Sequence, residues 1–248
     1  YEFRFELANR TPGMTPDVPG KIMLSRDGCD FWQGSLGLID GKAATQTLTV
    51  PLTVNPFMVP GEYEIRFETP GFRLTRNGRP YQPKVRIANA RKAAPPVSEM
   101  RRHRGVSTLF VDGQPYYLLM HANRYADTVE ASGRRFGAEK IDFYSVYTIL
   151  EMPREGEVTF AKTDQVITLA LAGNPDAKLF VRIELRDSVP GWFTARYPDE
   201  CARFDAGAVR GNPSLASLQW RETAGNGIRK LIEHIRQAPY ADKVVGYF

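Results

Sequence analysis

The chain has 248 residues, 42% of them hydrophobic and 25% charged, with a formal net charge of +5. That balance belongs to a folded globular protein and excludes a disordered chain; the length allows one large core or two ordinary ones at about 100–200 residues per domain. The longest apolar runs, residues 116–120 and 167–172, fall far short of the ~20 residues of a spanning helix, so no membrane span is expected.

The chain begins Tyr1-Glu2-Phe3-Arg4-Phe5, already in strand-like alternation and with no methionine or basic-plus-apolar leader. A signal peptide is therefore expected to be absent or removed, and the start to be excised or processed. Short alternating runs follow at 3–7, 45–54, 63–68, 72–74 and 84–87. They are separated by Thr11-Pro12-Gly13, Val18-Pro19-Gly20, Val59-Pro60-Gly61 and Arg76-Asn77-Gly78. Regular short strands punctuated in this way predict an antiparallel, immunoglobulin-like β-sandwich over residues 1–95. The clearest piece is residues 59–67, a turn followed by Tyr63, Ile65 and Phe67 on one face and Glu62, Glu64 and Arg66 on the other.

Between residues 88 and 104 large apolar side chains almost vanish, and residues 96–107 are expected to be a linker. After it, residues 108–118 carry a hairpin signal with Asp112-Gly113 at the turn. The rhythm then becomes strand, helix, strand, which predicts a parallel sheet. Strands are expected at 118–123, 143–150, 178–185 and 244–248. One helix is expected at 131–140 despite Gly133 and Gly137. Another is expected at 165–172, with Thr163-Asp164 as its cap and Asn174-Pro175 closing it. A long helix should open at Ser214 and carry Leu215, Leu218, Ile228, Leu231, Ile232 and Ile235 before Pro239. Residues 108–248 are thus expected to form strands 1–4 of a (β/α)8 TIM barrel. The fold class is multidomain, a β-sandwich followed by a partial barrel.

In residues 178–185 the period of two sends Leu179, Val181, Ile183 and Leu185 toward helices, and Phe180, Arg182 and Glu184 toward the barrel axis. Active sites of such barrels lie at the C-terminal ends of the strands. Arg182 and Glu184 are therefore either ligand-binding groups or a buried pair that satisfies itself. His121 and Asn123, at the end of the first barrel strand, are polar types suited to hydroxyl recognition. Trp192, in the loop after the third strand, either stacks on a ligand or anchors its own loop, whereas Trp220 reads as helix core. No second histidine stands at metal-ligand spacing and no glycine-rich phosphate loop is present, so neither a metal nor another cofactor is expected. Cys29 and Cys201 fall in different predicted domains and offer neither a disulfide framework nor a CxxC site. Basic residues such as Arg101, Arg102, Arg104, Arg134 and Arg135 are dispersed, so nucleic acid is not expected as a partner.

Residues 190–200 read Pro-Gly-Trp-Phe-Thr-Ala-Arg-Tyr-Pro-Asp-Glu. Asn212-Pro213-Ser214-Leu215-Ala216-Ser217 follows, then Trp220-Arg221, then Tyr240-Ala241-Asp242-Lys243-Val244-Val245-Gly246-Tyr247. This series resembles family 42 glycoside hydrolases, the β-galactosidase-like members of clan A. The resemblance is good over residues 164–248, fair over 109–150 and negligible in the sandwich, and residues 120–125 depart from the family's entry motif. It implies retaining hydrolysis of a carbohydrate by two carboxylates about 5–5.5 Å apart. One follows the fourth strand and the other ends the seventh, so both are expected beyond Phe248. No catalytic residue is assigned within the chain, and the segment alone is expected to be inactive. His121, Asn123, Arg182, Glu184 and Trp192 are the implied sugar-binding residues. The open edges of strands 1 and 4 call for further sequence or a partner copy, so a homo-oligomer is one expectation. An exported bacterial enzyme, periplasmic or extracellular, is another. The alternative is a non-catalytic glycan-binding or structural module with a vestigial barrel, for which Phe31, Trp32 and Tyr81 are the aromatic platform to inspect.

Overall fold

The computed structural model describes residues 2–8, 17–69, 75–76, 79–80, 82–89, 91–123, 126–185, 189–203 and 209–248. They fall into two compact units, Tyr1–Ala90 and Arg91–Phe248. Among the described residues no helix is long and apolar enough to cross a membrane.

The first unit contains β1 (Glu2–Ala8), β2 (Val18–Arg26), β3 (Cys29–Ile39), β4 (Thr45–Pro51), β5 (Gly61–Glu68), the two-residue β6 (Thr75–Arg76) and β7 (Arg79–Pro80), and β8 (Lys84–Ile87). β1 pairs antiparallel with β4, and a four-stranded antiparallel sheet has the order β3-β2-β5-β8. Tyr63 and Ile65 are buried as their alternation requires. Phe31 meets Tyr63 edge-on at 5.2 Å, and the Tyr63 hydroxyl donates to the Val59 carbonyl at 2.8 Å. The β2–β3 hairpin is absent from the sequence reading. Its turn, Asp27-Gly28, has φ values of +51° and +78°, the two left-handed residues of a tight hairpin. The flanking strands do not alternate, however: Ile22, Met23, Leu24 and Ser25 are buried in succession, and register shifts interrupt the pairing. Phe31 is 2% exposed and is core, not platform. Trp32 is half-buried, and a Cβ on Gly34 would stand 2.5 Å from its ring. The expected strand at 72–74 and Tyr81 lie outside the described residues.

The second unit begins with β9 (Ser98–His103), β10 (Val106–Val111) and β11 (Gln114–Tyr116), an antiparallel sheet in the order β11-β10-β9. Residues 98–103, expected within a linker, are a strand paired with β10 along its whole length. What replaces apolar burial there is cationic packing: the Arg101 guanidinium lies 3.9 Å from the centre of the Phe110 ring, and His103 meets that ring edge-on. The turn at Asp112-Gly113 forms as the sequence predicts, with φ of +49° and +78°.

Next come β12 (Met120–Asn123), α1 (Ala126–Ala138), β13 (Phe143–Ile149), α2 (Ala161–Gly173), β14 (Lys178–Glu184), α3 (Gly191–Arg196), β15 (Cys201–Arg203), β16 (Val209–Pro213), α4 (Leu218–Gln237) and β17 (Val244–Tyr247). Strands β12-β13-β14-β17 form a parallel sheet whose spatial order is their chain order, while β15 and β16 pair as a hairpin ahead of α4. α1, α2 and α4 supply the crossovers. One face of the sheet meets these helices: the Tyr144 hydroxyl donates to the Gly133 carbonyl in α1, and Thr148 and Thr163 of α2 share a hydrogen bond of 2.7 Å.

Glycines set the distance between α1 and α2. A Cβ on Gly173 would stand 2.2 Å from the Glu130 carbonyl oxygen, and one on Gly133 would stand 2.9 Å from that of Ala170. Gly133 and Gly137, read from sequence as weakening the helix, are where α1 meets the end of α2. Both caps also differ from expectation. α2 starts at Ala161 with no side-chain cap, and Asp164 is fully buried, accepting from the Tyr240 hydroxyl at 2.5 Å and meeting His234 Nε2 at 2.7 Å. α4 is capped not by Ser214 but by Ser217, whose hydroxyl accepts from the Trp220 amide at 3.0 Å.

These contacts predict opposite signs for two glycine substitutions. Gly173→Ala meets rigid backbone and should destabilise the second unit by roughly 2 kcal/mol or more. Gly225→Ala in α4, with only a distal Arg229 nitrogen at 4.0 Å, should stabilise it by about 0.5–1 kcal/mol. Urea melts of both variants check the pair.

Candidate functional site

The parallel register decides which side chains share a face. Ser145 pairs with Phe180, Tyr147 with Arg182 and Ile149 with Glu184, while Gly246 pairs with Phe180 from the other side. This face is opposite to the one carrying Tyr144, Val146 and Thr148, which meets the helices. Its lower end, at the starts of the strands, is closed by a cluster of Leu109 and Val111 from the β10–β11 hairpin with Phe143 and Val245, against which Tyr116 and Phe180 pack. Gly246 lets the Phe180 ring cross β17, since a Cβ there would stand 2.7 Å from it.

Above that apolar floor the face turns polar. Arg182 is exposed, with its guanidinium 5.9 Å from the centre of the Tyr147 ring. Glu184, two residues further along the same strand, is half-buried. Arg182 and Glu184 are therefore brought together on one face near the C-terminal ends of the strands, with Tyr147 beside them. Sequence reasoning missed Tyr147. The signal was the alternation Tyr144, Val146, Thr148 against Ser145, Tyr147, but only the register with β14 ties it to Arg182.

His121 is not brought to this face. It pairs in register with Tyr144, stacks on Phe136 of α1 with ring centres 4.0 Å apart, and meets Tyr144 edge-on at 6.0 Å. The imidazole packs between strand and helix, and Ala122 pairs with Ser145 on the opposite face. The backbone of Asn123 pairs with Val146, and its side chain lies outside the described residues. Trp192 opens α3 and is half-buried; its indole N–H donates to the Met152 carbonyl at 2.9 Å, and its ring meets Phe193 edge-on. It ties the loop after β14 to the loop after β13.

A cleft of about 250 Å³ lies elsewhere, between the loop after β13 and α4, with Glu155, Glu157, Gln219, Glu222 and Lys230 on its walls. Neither Arg182 nor Glu184 lines it. Among the described residues no group of three His, Cys, Asp or Glu side chains is placed to hold a metal ion.

No protein-family model matches the chain, and no curated protein matches it. Among solved structures it is similar to a family 39 glycoside hydrolase from the gut symbiont Bacteroides cellulosilyticus WH2, at 11% sequence identity and a TM-score of 0.36. The match covers 95% of this chain and 38% of that one, so the chain spans well under half the length of that structure. A likeness at that level settles neither fold nor activity.

Burial of His121 holds its pKa below the ordinary value of 6.5, and its Nε2 has no hydrogen-bond partner among the described residues. The unfolded chain therefore binds a proton more readily than the folded one. Stability should be undiminished above pH 6.5, fall as pH drops through that value, and level off below the lowered folded value. Denaturant midpoints from pH 7.5 to 5 should show this loss, and His121→Phe should reduce it.

Proposed function

We propose that this chain is part of a retaining β-glycosidase, with the parallel sheet as the first four strands of a (β/α)8 barrel and the first unit as an immunoglobulin-like accessory sandwich. The observation that carries the reading is the pairing of Tyr147 with Arg182 and the presence of Glu184 on the face turned away from the helices, near the C-terminal ends of the strands. Two further features support it. Helices meet one face of the parallel sheet while a hairpin closes the lower end of the other, as in a barrel whose interior is filled from below and open to ligand above. The family resemblance also runs through residues 190–200 and 240–247, and Trp192 in the first of these is anchored to Met152.

In this reading Arg182, Glu184 and Tyr147 bind sugar hydroxyls, and Trp192 holds the loop that overhangs them. His121 has no part in binding. The two catalytic carboxylates belong to the ends of strands four and seven, and no residue among 1–248 is assigned either role. Glu184 sits on the third strand and would act by binding, not by proton transfer. Family 42-like β-galactosidase chemistry is the specific form the resemblance favours; an exported bacterial enzyme is the setting it implies.

The test is direct. The gene product that carries this segment should hydrolyse a chromogenic β-glycoside with retention at the anomeric carbon. Arg182→Ala and Glu184→Ala should each lower kcat/KM by roughly 10-fold or more, the loss of a hydrogen-bonded charged contact. His121→Phe should change it little. Inactivity of that product across a broad panel of β-glycosides, with no glycan bound, would overturn the proposal.

A further inference from the structure

The charges on the axis face are not balanced alike. Lys178, at the lower end of that face, is engaged with the floor: its ammonium lies 4.9 Å from the centre of the Tyr116 ring and 5.9 Å from that of Phe143. Glu184 has an interaction partner of its own. Arg182 differs from both. It is exposed, its recorded contact is with the Tyr147 ring, and no carboxylate pairs with it among the described residues. A guanidinium beside an aromatic ring keeps its in-plane N–H fork free, and that fork matches the two oxygens of a carboxylate. Neutral hydroxyls would accept from the same donors but leave the charge uncompensated. The net charge of +5 adds a long-range attraction for an anionic polymer.

We infer that the glycan taken by this face carries a carboxylate, a uronate unit, and that Arg182 is its bidentate partner. The inference rests on the glycan-binding reading above and adds the substrate's charge to it. Tyr147 acts as a positioning residue, holding the guanidinium so that its donors point away from the sheet.

The test compares two probes that differ only in charge: a four-unit oligouronate and its methyl ester, titrated calorimetrically into the 248-residue chain. The free acid should bind about 10-fold tighter or more at low salt, and the advantage should shrink as salt is raised, because exposed charge contacts are screened. Arg182→Gln should abolish the difference between acid and ester by weakening acid binding far more than ester binding, a non-additivity that a merely structural role would not produce. Arg182→Lys should restore part of the preference, since an ammonium supplies charge without the fork. Far-UV spectra and thermal midpoints establish that the variants fold; if Arg182→Gln does not, the wild-type comparison of acid with ester decides.

Equal binding of acid and ester by the wild type would overturn the inference and leave the glycan-binding reading intact. An acid preference that survives Arg182→Gln would also overturn it, as would tighter binding of a sulfated glycan than of the uronate. No binding of acid, ester or neutral oligosaccharides would overturn both readings together.

Discussion

The arrangement of the second unit depends on one apolar contact, the packing of Leu109 and Val111 from the β10–β11 hairpin onto Phe143 and Val245. It closes the lower end of one face of the parallel sheet. An unpaired charge inside such a cluster would carry a large desolvation penalty. Lys178, at that level, keeps its ammonium against the Tyr116 and Phe143 rings. The more accessible charged groups on the same face stand at the other end of the strands, where Arg182 is exposed and Glu184 half-buried. Floor and polar rim are consequences of the same strands read in opposite directions.

The opposite face combines close helix approach with buried side chains such as Tyr144, Ile167, Leu171 and Leu179. Gly133 and Gly173 bring α1 and α2 to near backbone contact, Gly137 makes room for the Asn174 side chain, and the buried Asp164 joins α2 to His234 of α4 and to Tyr240 beyond it. Removing either partner would take one hydrogen bond from a fully buried acid, and breaking such a network costs more than its net contribution to stability suggests. Together these contacts fix how each helix sits on the sheet. The sheet's register, and with it the pairing of Tyr147 with Arg182, follows from that fit.

Much of this was legible in the sequence, for stated reasons. Residues 178–185 alternate strictly, so the sides taken by Leu179, Val181 and Arg182 could be read from period two alone. The expected strands at 143–150 and 244–248 likewise correspond to β13 and β17. Pattern reading is weakest where polarity and parity disagree. β12 has four residues, and its polar members, His121 and Asn123, were assigned to the ligand side because they are polar. In the structure aromatic stacking on Phe136 places the imidazole toward the helix. Strand β9 was missed because cation–π packing on Phe110 replaces the apolar residues that pattern reading looks for. The β2–β3 hairpin was missed because its strands bury consecutive residues. Ser214 and Ser217 both fit the capping pattern, and only the hydrogen bond to the Trp220 amide identifies Ser217 as the α4 cap.

The proposed ligand face is the one shared by Tyr147, Arg182 and Glu184. The measurement that tests it most directly is a nuclear magnetic resonance titration of the chain with neutral and uronate-bearing β-linked oligosaccharides, following resonances assigned residue by residue. Perturbations should centre on Tyr147, Arg182 and Glu184, with Trp192 following and His121 and Phe136 unmoved. Perturbations centred on the cleft walled by Glu155 and Glu222, or confined to residues 1–90, would contradict it.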